Sequence, residues 1–301
     1  MRLKLVPSKT NIDFFVNMKI IFSISFSMVL FSIVLFLMFG LNYGIDFRGG
    51  TMLMTQSEKE VSISEYRDVL RQARVGDISV TEISDPGTKI SGGMLNKNRN
   101  IVLIRIEQAE GEDSIQNDVI VEVKKILSRE IEQIKFLQTE SVGAKVSKEL
   151  VQKGIISVVL AVSAVLFYIW IRFEWQFAVG AVIAIIHDVV ITIGIFSLIG
   201  LEFNLSIIAA LLTIVGYSLN DTVIVFDRIR ENLKKFRKTH LIELLNLSVN
   251  ETLSRTVMTS ATTILALGSL YILGGDVIRG FTFAMIWGVL IGTFSSIFVA
   301  S

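Results

Sequence analysis

The sequence of 301 residues has no cysteine, only two prolines and only two histidines. Without cysteine, disulfide frameworks, thiol catalysis and cysteine-ligated zinc are excluded. His187 and His240 lie in different segments without the spacing of metal ligands, so we expect neither a metal site nor a cofactor. A Walker-type glycine loop and a Ser-His-Asp spacing are also missing, which predicts a protein that is not an enzyme and has no covalent chemistry of its own.

Charge of one sign is not in excess either, because 29 basic residues nearly balance 28 acidic ones. A net charge of +1 gives no indication of a nucleic-acid partner. The hydrophobic content of 51% and the mean hydropathy of +0.61 are instead typical of a polytopic membrane protein. In such a protein, the few ionisable residues inside apolar runs are the first candidates for function.

Six apolar runs are long enough to cross a bilayer, which takes about 20 residues of helix. The first run follows a basic segment, residues 1–19, and no small-residue cleavage site comes after it, so we expect an uncleaved anchor with a cytoplasmic N-terminus. The last run reaches Ser301 without a polar tail, which leaves room for a natural C-terminus further on. The predicted spans are residues 20–40, 154–171, 176–201, 203–226, 256–275 and 281–301.

The distribution of Lys and Arg supports the same orientation. Six crossings that start in the cytoplasm place residues 41–152 outside and residues 227–255 inside. We interpret residues 227–255 as a cytoplasmic basic loop, and their first part, Asp227 to Asn232, as a basic anchor of the fourth span. The cations of this segment cluster at Arg228, Arg230, Lys234, Lys235, Arg237 and Lys238.

Residues 41–152, between the first and second spans, have the composition of a water-soluble α+β domain. Their patterns predict the order β-α-β-β-α-β, the ferredoxin-like arrangement in which two helices cover one face of a sheet. Asp85-Pro86-Gly87 marks a turn, and the glycine- and asparagine-rich piece up to Asn100 marks a loop. We interpret this domain as a folding or docking module rather than a catalytic one. The predicted strands are residues 45–55, 77–84, 100–107 and 131–139, and the predicted helices are residues 64–73 and 114–128.

The most informative residue is Asp221, a carboxylate within the fourth span. Helical spacing puts Tyr217 and Ser218 on its face and Asn220 slightly off it, so we expect Asp221 to face protein rather than lipid. Arg255 begins the fifth span at the same membrane face and is a candidate counter-charge. The alternatives are that Asp221 is a satisfied packing residue and that Arg255 extends to the lipid headgroups.

Asp188 is a second acid within a span, beside His187 and one turn before Thr192. It is equally consistent with a role in helix packing. Gly288 and Gly292 form a GxxxG pair in the sixth span, which predicts that another helix packs closely there. Beside the primary pair Asp221 and Arg255, the secondary candidates for a proton path are Asn220, Asp188, His187, Tyr217 and Thr259.

A buried acid near a guanidinium has the chemistry that a proton-coupled machine requires. Burial favours the neutral acid and the arginine favours the ionised one, so a small helix movement can bind or release a proton. One charge that crosses the membrane potential supplies about 2.3 kcal/mol per 100 mV. A few protons per cycle could therefore drive a sizeable conformational step.

Together, these motifs resemble the SecF branch of the SecD/SecF family of bacterial protein-export membrane proteins, within the resistance-nodulation-division superfamily. The resemblance runs from about residue 13 to the end of the chain, and several short strings carry it jointly. They are Gly44-Ile45-Asp46-Phe47-Arg48-Gly49-Gly50, Ser141-Val142-Gly143, Arg172-Phe173-Glu174-Trp175, His187-Asp188, Gly216 to Asp221, Phe226 to Asn232, and Ser254-Arg255-Thr256.

The resemblance implies an auxiliary subunit of the Sec preprotein translocase, a multi-pass protein of the bacterial inner membrane that uses the proton-motive force. It implies as partners SecD, the Sec channel (SecY/SecE/SecG) with auxiliary membrane subunits, the preprotein and membrane lipid. In that family the acid of the fourth span and the arginine of the fifth are associated with proton transport, which points to Asp221 and Arg255 here. Two other functions stay open: a half-size exporter of small molecules or lipids, and a structural scaffold whose buried charges only pack helices.

Overall fold

The computed structural model describes residues 10–57, 59, 61–71, 78–83, 100–106, 116–275 and 278–301. Six of its helices are long and apolar enough to cross a membrane, which confirms the predicted number of spans. These six are α1 and α5 to α9. The helices are α1 (Met18–Phe39), α2 (Ile45–Arg48), α3 (Ile63–Arg71), α4 (Gln116–Glu130), α5 (Ala144–Arg172), α6 (Trp175–Ile199), α7 (Leu205–Lys235), α8 (Leu241–Leu273) and α9 (Arg279–Phe298). The strands are β1 (Asn42–Tyr43), β2 (Gly50–Ser57), β3 (Ile78–Ile83), β4 (Asn100–Ile106), β5 (Lys135–Val142) and β6 (Glu202–Phe203).

Three of the spanning helices extend well beyond the predicted apolar runs. Helix α5 already begins at Ala144, α7 continues to Lys235 and α8 begins at Leu241. The prediction of a loop over residues 227–255 is therefore wrong, since only residues 236–240 of that segment are outside a helix. Leu, Lys, Arg and Glu are all good helix formers, so the helices continue where the hydrophobic pattern stops. At about 1.5 Å per residue, α7 is roughly 46 Å long and exceeds a hydrocarbon core of about 30 Å.

Helix α7 lies at the centre of the membrane bundle and packs against α6, α8 and most closely against α9. Small residues on α9 allow this approach, as the GxxxG pair predicts. A Cβ atom on Gly288 would lie 2.2 Å from Cγ1 of Ile214, and one on Gly292 would lie 3.1 Å from Cβ of Ser218. Helix α1 meets α6 in a similar way, where Gly194 faces Ser32. Backbone contact between α7 and α9 thus fixes the position of the helix that carries Asp221.

We expect Gly288→Val to lower the thermal unfolding midpoint of the detergent-solubilised protein. The new side chain would overlap the fully buried Ile214 side chain, and overpacking of this kind typically costs about 1–3 kcal/mol. Gly268→Val on α8 is the matched control, because beyond its chain neighbours and its own helix backbone no described atom lies within 4 Å of the Cβ position there. An equal loss of stability in both variants would contradict the close packing.

Residues that precede α1 are held against α8 by two side-chain amides. Asn250 binds the backbone of Ile12 as a neighbouring strand would: its Oδ1 accepts from the Ile12 N–H at 2.9 Å, and its Nδ2 donates to the Ile12 carbonyl at 2.8 Å. Asn246, one turn earlier, accepts from the Phe14 N–H at 2.8 Å. Phe15 is buried in the largest apolar cluster of the bundle. The start of the described chain is therefore fastened to a helix that begins at Leu241.

The chain divides into two compact units, one formed by residues 1–42 and 156–301 and the other by residues 43–155. In the second unit the elements follow one another as β2, α3, β3, β4, α4 and β5. Its four strands form a sheet in the order β3-β4-β2-β5, and all neighbouring strands are antiparallel. The core between this sheet and the two helices contains Leu53, Tyr66, Leu70, Ile104, Val123 and Leu127.

The beginning of the second unit differs from the prediction. Residues 45–48 form the single helical turn α2, and the strand starts only at Gly50. Gly49 and Gly50 have φ values of 75° and 115°, which end the turn and redirect the chain in a way that favours glycine. The backbone of Ala144 lies 3.1 Å from the position of a Cβ on Gly49, so a side chain has little room there. The predicted turn at residues 85–87 and most of the loop that follows it lie outside the described residues.

Candidate proton site in the membrane bundle

Asp221 is buried in α7, as its helical phase predicts, with 1% of its surface exposed. Its Oδ2 is buried and has no hydrogen-bond partner among the described residues. Its Oδ1 accepts from Nδ2 of the neighbouring Asn220, at 3.5 Å. A buried carboxylate in this condition is costly unless it gains a proton or a partner. The site therefore favours a group whose protonation state changes over a group that is permanently satisfied.

Arg255 on α8 is the charged side chain that acts electrostatically on Asp221. Among the described residues, no ion pair within 4.0 Å joins the two. Arg255 is exposed on the surface of the bundle, whereas Asp221 is buried. The structure thus brings the predicted pair into the same region without direct contact. Such spacing leaves the acid under the influence of a positive charge that does not neutralise it by a hydrogen bond.

The other polar residues near this pair connect α7 to α8. The Tyr217 hydroxyl donates to Oγ1 of Thr263 at 3.4 Å, so it reaches the neighbouring helix rather than Asp221. Thr259 donates to the carbonyl of Thr256 on its own helix at 2.9 Å. The Thr256 hydroxyl is buried and has no partner in the part of the chain that the structure describes, a feature that sequence reasoning missed although Thr256 stands beside Arg255.

Asp188 on α6 is in the opposite condition to Asp221, because its side-chain oxygens have partners. Oδ2 accepts from the hydroxyls of Ser218 on α7 at 2.7 Å and Ser295 on α9 at 2.8 Å. Nδ1 of His187 lies 3.0 Å from Oδ1. Ser218 therefore belongs to the surroundings of Asp188, although helical spacing placed it with Asp221. The full set of partners favours a role for Asp188 in fastening α6, α7 and α9 together.

His187 is almost fully buried and stacks on the ring of Phe294, with 6.2 Å between the ring centroids. Its Nε2 is buried, and no described residue forms a hydrogen bond with it. A hydrogen-bonded relay to Asp221 is not formed, since the bonds of His187 and Asp188 lead to serines on α7 and α9. The hydroxyl of Ser296 extends the same network by donating to the Ser218 carbonyl at 3.1 Å. Ser295 and Ser296 were not predicted, because serine inside an apolar run carries no distinctive signal.

The end of α7 that follows Asp221 is more than the basic anchor that the sequence suggested. Arg228 pairs with Glu251 of α8 at 2.6 Å and with Glu231 at 2.7 Å. Asn232 donates to Oγ of Ser248 at 3.0 Å and to Oε2 of Glu251 at 2.8 Å. These bonds join α7 to α8 beyond the predicted span. The cations that remain exposed are Lys234, Lys235, Arg237 and Lys238.

Comparison with known proteins assigns this arrangement to a family. A model described as "Protein export membrane protein SecD/SecF, C-terminal" matches residues 122–301, which include every candidate residue above. A second, the "SecD/SecF GG Motif", matches residues 34–61 and contains Gly49 and Gly50. The chain belongs to the SecD/SecF family. It is 49% identical over 299 residues to the protein translocase subunit SecF of Cereibacter sphaeroides, a match that covers 99% of this chain and 90% of that protein.

Further SecD/SecF proteins extend the comparison. SecF of Rhodobacter capsulatus is 48% identical over 305 residues, covering 99% of this chain and 90% of the relative. The crystal structure of SecDF from Thermus thermophilus, described as a translocon-associated membrane protein, superposes with a TM-score of 0.84 at 33% identity. That match covers 98% of this chain and 38% of the SecDF polypeptide, so this chain spans less than half of it. With its six apolar helices, the chain is a multi-pass membrane protein of this family.

Proposed function

We propose that the chain is an auxiliary subunit of the Sec preprotein translocase that works with SecD and uses the proton-motive force to promote export through the Sec channel. The relatives that carry the name protein translocase subunit SecF support the first part of this proposal. The observation that carries the second part is the buried Asp221, with one oxygen unpartnered and the charge of Arg255 nearby. The subunit acts by conformational change and not as an enzyme.

The proton cycle follows from the surroundings of Asp221. When it holds a proton, the side chain is neutral and tolerates its buried position. When the proton leaves, an ionised oxygen without a partner is costly, and attraction to Arg255 favours a shorter distance between α7 and α8. Each proton that crosses the membrane supplies about 2.3 kcal/mol per 100 mV for this rearrangement. Binding and release of a proton at Asp221 thus switch α7 and α8 between two separations.

SecD is proposed to cover the polar face that α7 and α8 expose. Asn220 and Gly216 are exposed on α7, and Arg255 and Thr262 are exposed on α8. Polar and charged groups that face lipid are expensive and normally lie against protein or a water-filled cavity. The matched SecDF polypeptide, of which this chain covers 38%, is consistent with a partner bundle next to this face. The partner would also shield the proton site from lipid.

The orientation is proposed from the positive-inside rule, with the N-terminus in the cytoplasm and residues 41–152 in the periplasm of a bacterial inner membrane. Tyr168, Trp170 and Trp175 support the placement of the α5–α6 turn at a membrane interface. They are 56%, 64% and 66% exposed and flank Arg172, as in the aromatic belts of membrane proteins. The exposed cations at residues 234–238 lie on the same, cytoplasmic side of the proposed topology.

The second unit is proposed to be a ferredoxin-like domain that handles the emerging preprotein. The element order from β2 to β5 and the strand order β3-β4-β2-β5 support this fold. The Sec channel, the preprotein and lipid are the other proposed partners.

We expect Asn220→Trp to reduce copurification with SecD about tenfold, because overpacking at a contact face costs about 1–3 kcal/mol. Asn220 lies on the exposed polar face of α7. Val159→Trp on α5, where the native side chain is 57% exposed, is the matched control and should copurify normally. An unchanged yield of SecD with Asn220→Trp would show that SecD binds another face.

The proposed function is tested in membrane vesicles that contain the chain, SecD and the Sec channel. The rate of preprotein export is measured with and without an imposed proton gradient, for wild type and for Asp221→Asn. The amide has nearly the shape of the acid but cannot exchange a proton. Gradient-driven export at the wild-type rate in this variant would show that Asp221 is not the residue that exchanges the proton, which would contradict the proposed function.

A further inference from the structure

Helix α5 is attached to the membrane bundle at its C-terminal end. Ile169 there is 1% exposed and Phe173, just after the helix, is 6% exposed, and both belong to the largest apolar cluster of the bundle. Nearer the N-terminus, Val159 and Leu160 are 57% and 63% exposed. The helix is nevertheless uninterrupted from Ala144 to Arg172. Within the membrane bundle, α5 is therefore held at its C-terminal end.

The attachment at this end is an ion-pair cluster between α5 and α7. One guanidinium nitrogen of Arg172 donates to both oxygens of Asp227, at 3.0 and 3.1 Å. Arg230 donates to Oδ1 of Asp227 at 2.8 Å and to the carbonyl of Arg172 at 3.4 Å, which caps the end of α5. Arg230 thus forms hydrogen bonds with both Arg172 and Asp227. The Arg172–Asp227 pair and Arg230 are called the joint below.

Aromatic side chains support the joint from the side of the bundle. The ring of Phe173 lies 5.8 Å from that of Phe226, which immediately precedes Asp227 in α7. Phe177 at the start of α6 is 4.9 Å from the same ring. The guanidinium groups of Arg172 and Arg230 lie 5.0 and 5.4 Å from the Phe173 ring. These contacts anchor the C-terminal end of α5 on α7.

The joint is close to the proton site along the same helix. Asp221 and Asp227 are separated by six residues of uninterrupted α7, which is about 9 Å of helix. A shift or rotation of α7 at Asp221 consequently displaces Asp227. Helix α5 ends at Arg172, in the joint. The division between the two compact units falls within the same helix, after Ile155.

We infer that Arg172 and Asp227 are coupling residues, which pass the displacement of α7 that accompanies proton exchange to α5 and so to the chain of the second unit. The inference rests on the proposed function, since it needs a proton cycle to transmit. A role in stability alone does not account for the arrangement. The side chains of Arg172 and Asp227 are 38% and 41% exposed, and ion pairs at that exposure contribute little to stability. The doubly bonded carboxylate and the cap instead tie the C-terminal end of α5 to the position of Asp227 on α7.

The test separates proton conduction from export in vesicles that contain the chain, SecD and the Sec channel. For Arg172→Gln we expect proton conduction to stay within about twofold of wild type, while gradient-driven export falls about tenfold, a typical size for an energetic coupling between sites. Lys153→Gln is the matched control. It removes an ion pair with Glu149 on the same helix, 3.4 Å long, that does not involve α7, and it should affect neither measurement.

A cysteine pair adds a rescue experiment, because the native chain has no other thiol that could react. Arg172→Cys with Asp227→Cys should be uncoupled, and a short bifunctional maleimide that links the two positions should restore at least half of the export. A parallel fall of conduction and export in Arg172→Gln, unchanged export, or failed rescue would overturn the coupling role. Absence of proton conduction in the wild type would instead overturn the proposed function, and the coupling role with it.

Discussion

Asp221→Asn is expected to abolish the gradient-driven part of preprotein export and to leave the protein folded. The variant removes the exchangeable proton but keeps the size of the side chain. It also replaces a buried carboxyl whose Oδ2 has no partner, so the free energy of unfolding should change by no more than about 1 kcal/mol. The export rate with an imposed gradient should equal the rate without one, as measured in vesicles with SecD, while the thermal unfolding midpoint stays close to that of wild type.

Two variants serve as controls for this result. Glu231→Gln changes another acid of α7 to its amide at a 62% exposed position and should export normally. Asp221→Glu keeps a titratable group and should retain part of the gradient-driven export. If Asp221→Asn still responded to the gradient, Asp221 would be a packing residue and the proton path would have to run elsewhere.

Asp188→Ala should show the opposite behaviour, with a large loss of stability and continued proton-driven export by the molecules that fold. Asp188 is fully buried, and its removal leaves the Ser218 hydroxyl without its acceptor, whereas Ser295 keeps the Gly292 carbonyl at 3.2 Å. Together with the cavity, the loss of these hydrogen bonds should lower the free energy of unfolding by about 3 kcal/mol. The thermal midpoint in detergent measures the loss, and export is normalised to the folded fraction.

Asp68→Ala is the control for this second prediction, since Asp68 is 70% exposed on α3 and should change stability by less than about 0.5 kcal/mol. Asp188→Asn should be milder than Asp188→Ala, because the amide oxygen can still accept one of the hydroxyl hydrogen bonds. Equal stability of the Asp188→Ala and Asp68→Ala variants would contradict the fastening role. We therefore expect the two buried acids to differ in role: Asp221 governs export and Asp188 governs folding.

Hydropathy and helical phase predicted the six spans and the burial of Asp221, because a bilayer imposes a length and a polarity that appear directly in the residues. They could not predict where the helices end. Residues 227–235 and 241–255 are helical although their side chains are largely polar or charged. Hydropathy does not mark where such a charged part of a helix begins or ends. The helical turn before Gly50 was likewise missed, since it depends on two consecutive glycines with positive φ and not on periodicity.

For the candidate site, the sequence identified the two buried acids but could not distinguish them. The distinction depends on what the neighbouring helices offer: Ser218 and Ser295 are directed at Asp188, and Oδ2 of Asp221 has no partner. Serine and threonine inside an apolar run also bond to their own helix, so their direction is decided only by packing. The joint at Asp227 was missed for a related reason, because runs of Arg, Asp and Glu look like a solvated helix end until their partners are known.

The amide grip of Asn246 and Asn250 on the first residues of the chain has a consequence for biogenesis. Its hydrogen bonds join residues up to 238 positions apart, so they cannot form before the start of α8 has left the ribosome. At about 5–20 residues per second, the beginning of the chain waits roughly 10–50 s for its binding site. During this interval residues 10–15 are accessible to proteases and chaperones. Asn246 and Asn250 precede the predicted fifth span, residues 256–275, so closure can follow as soon as the first turns of α8 have formed.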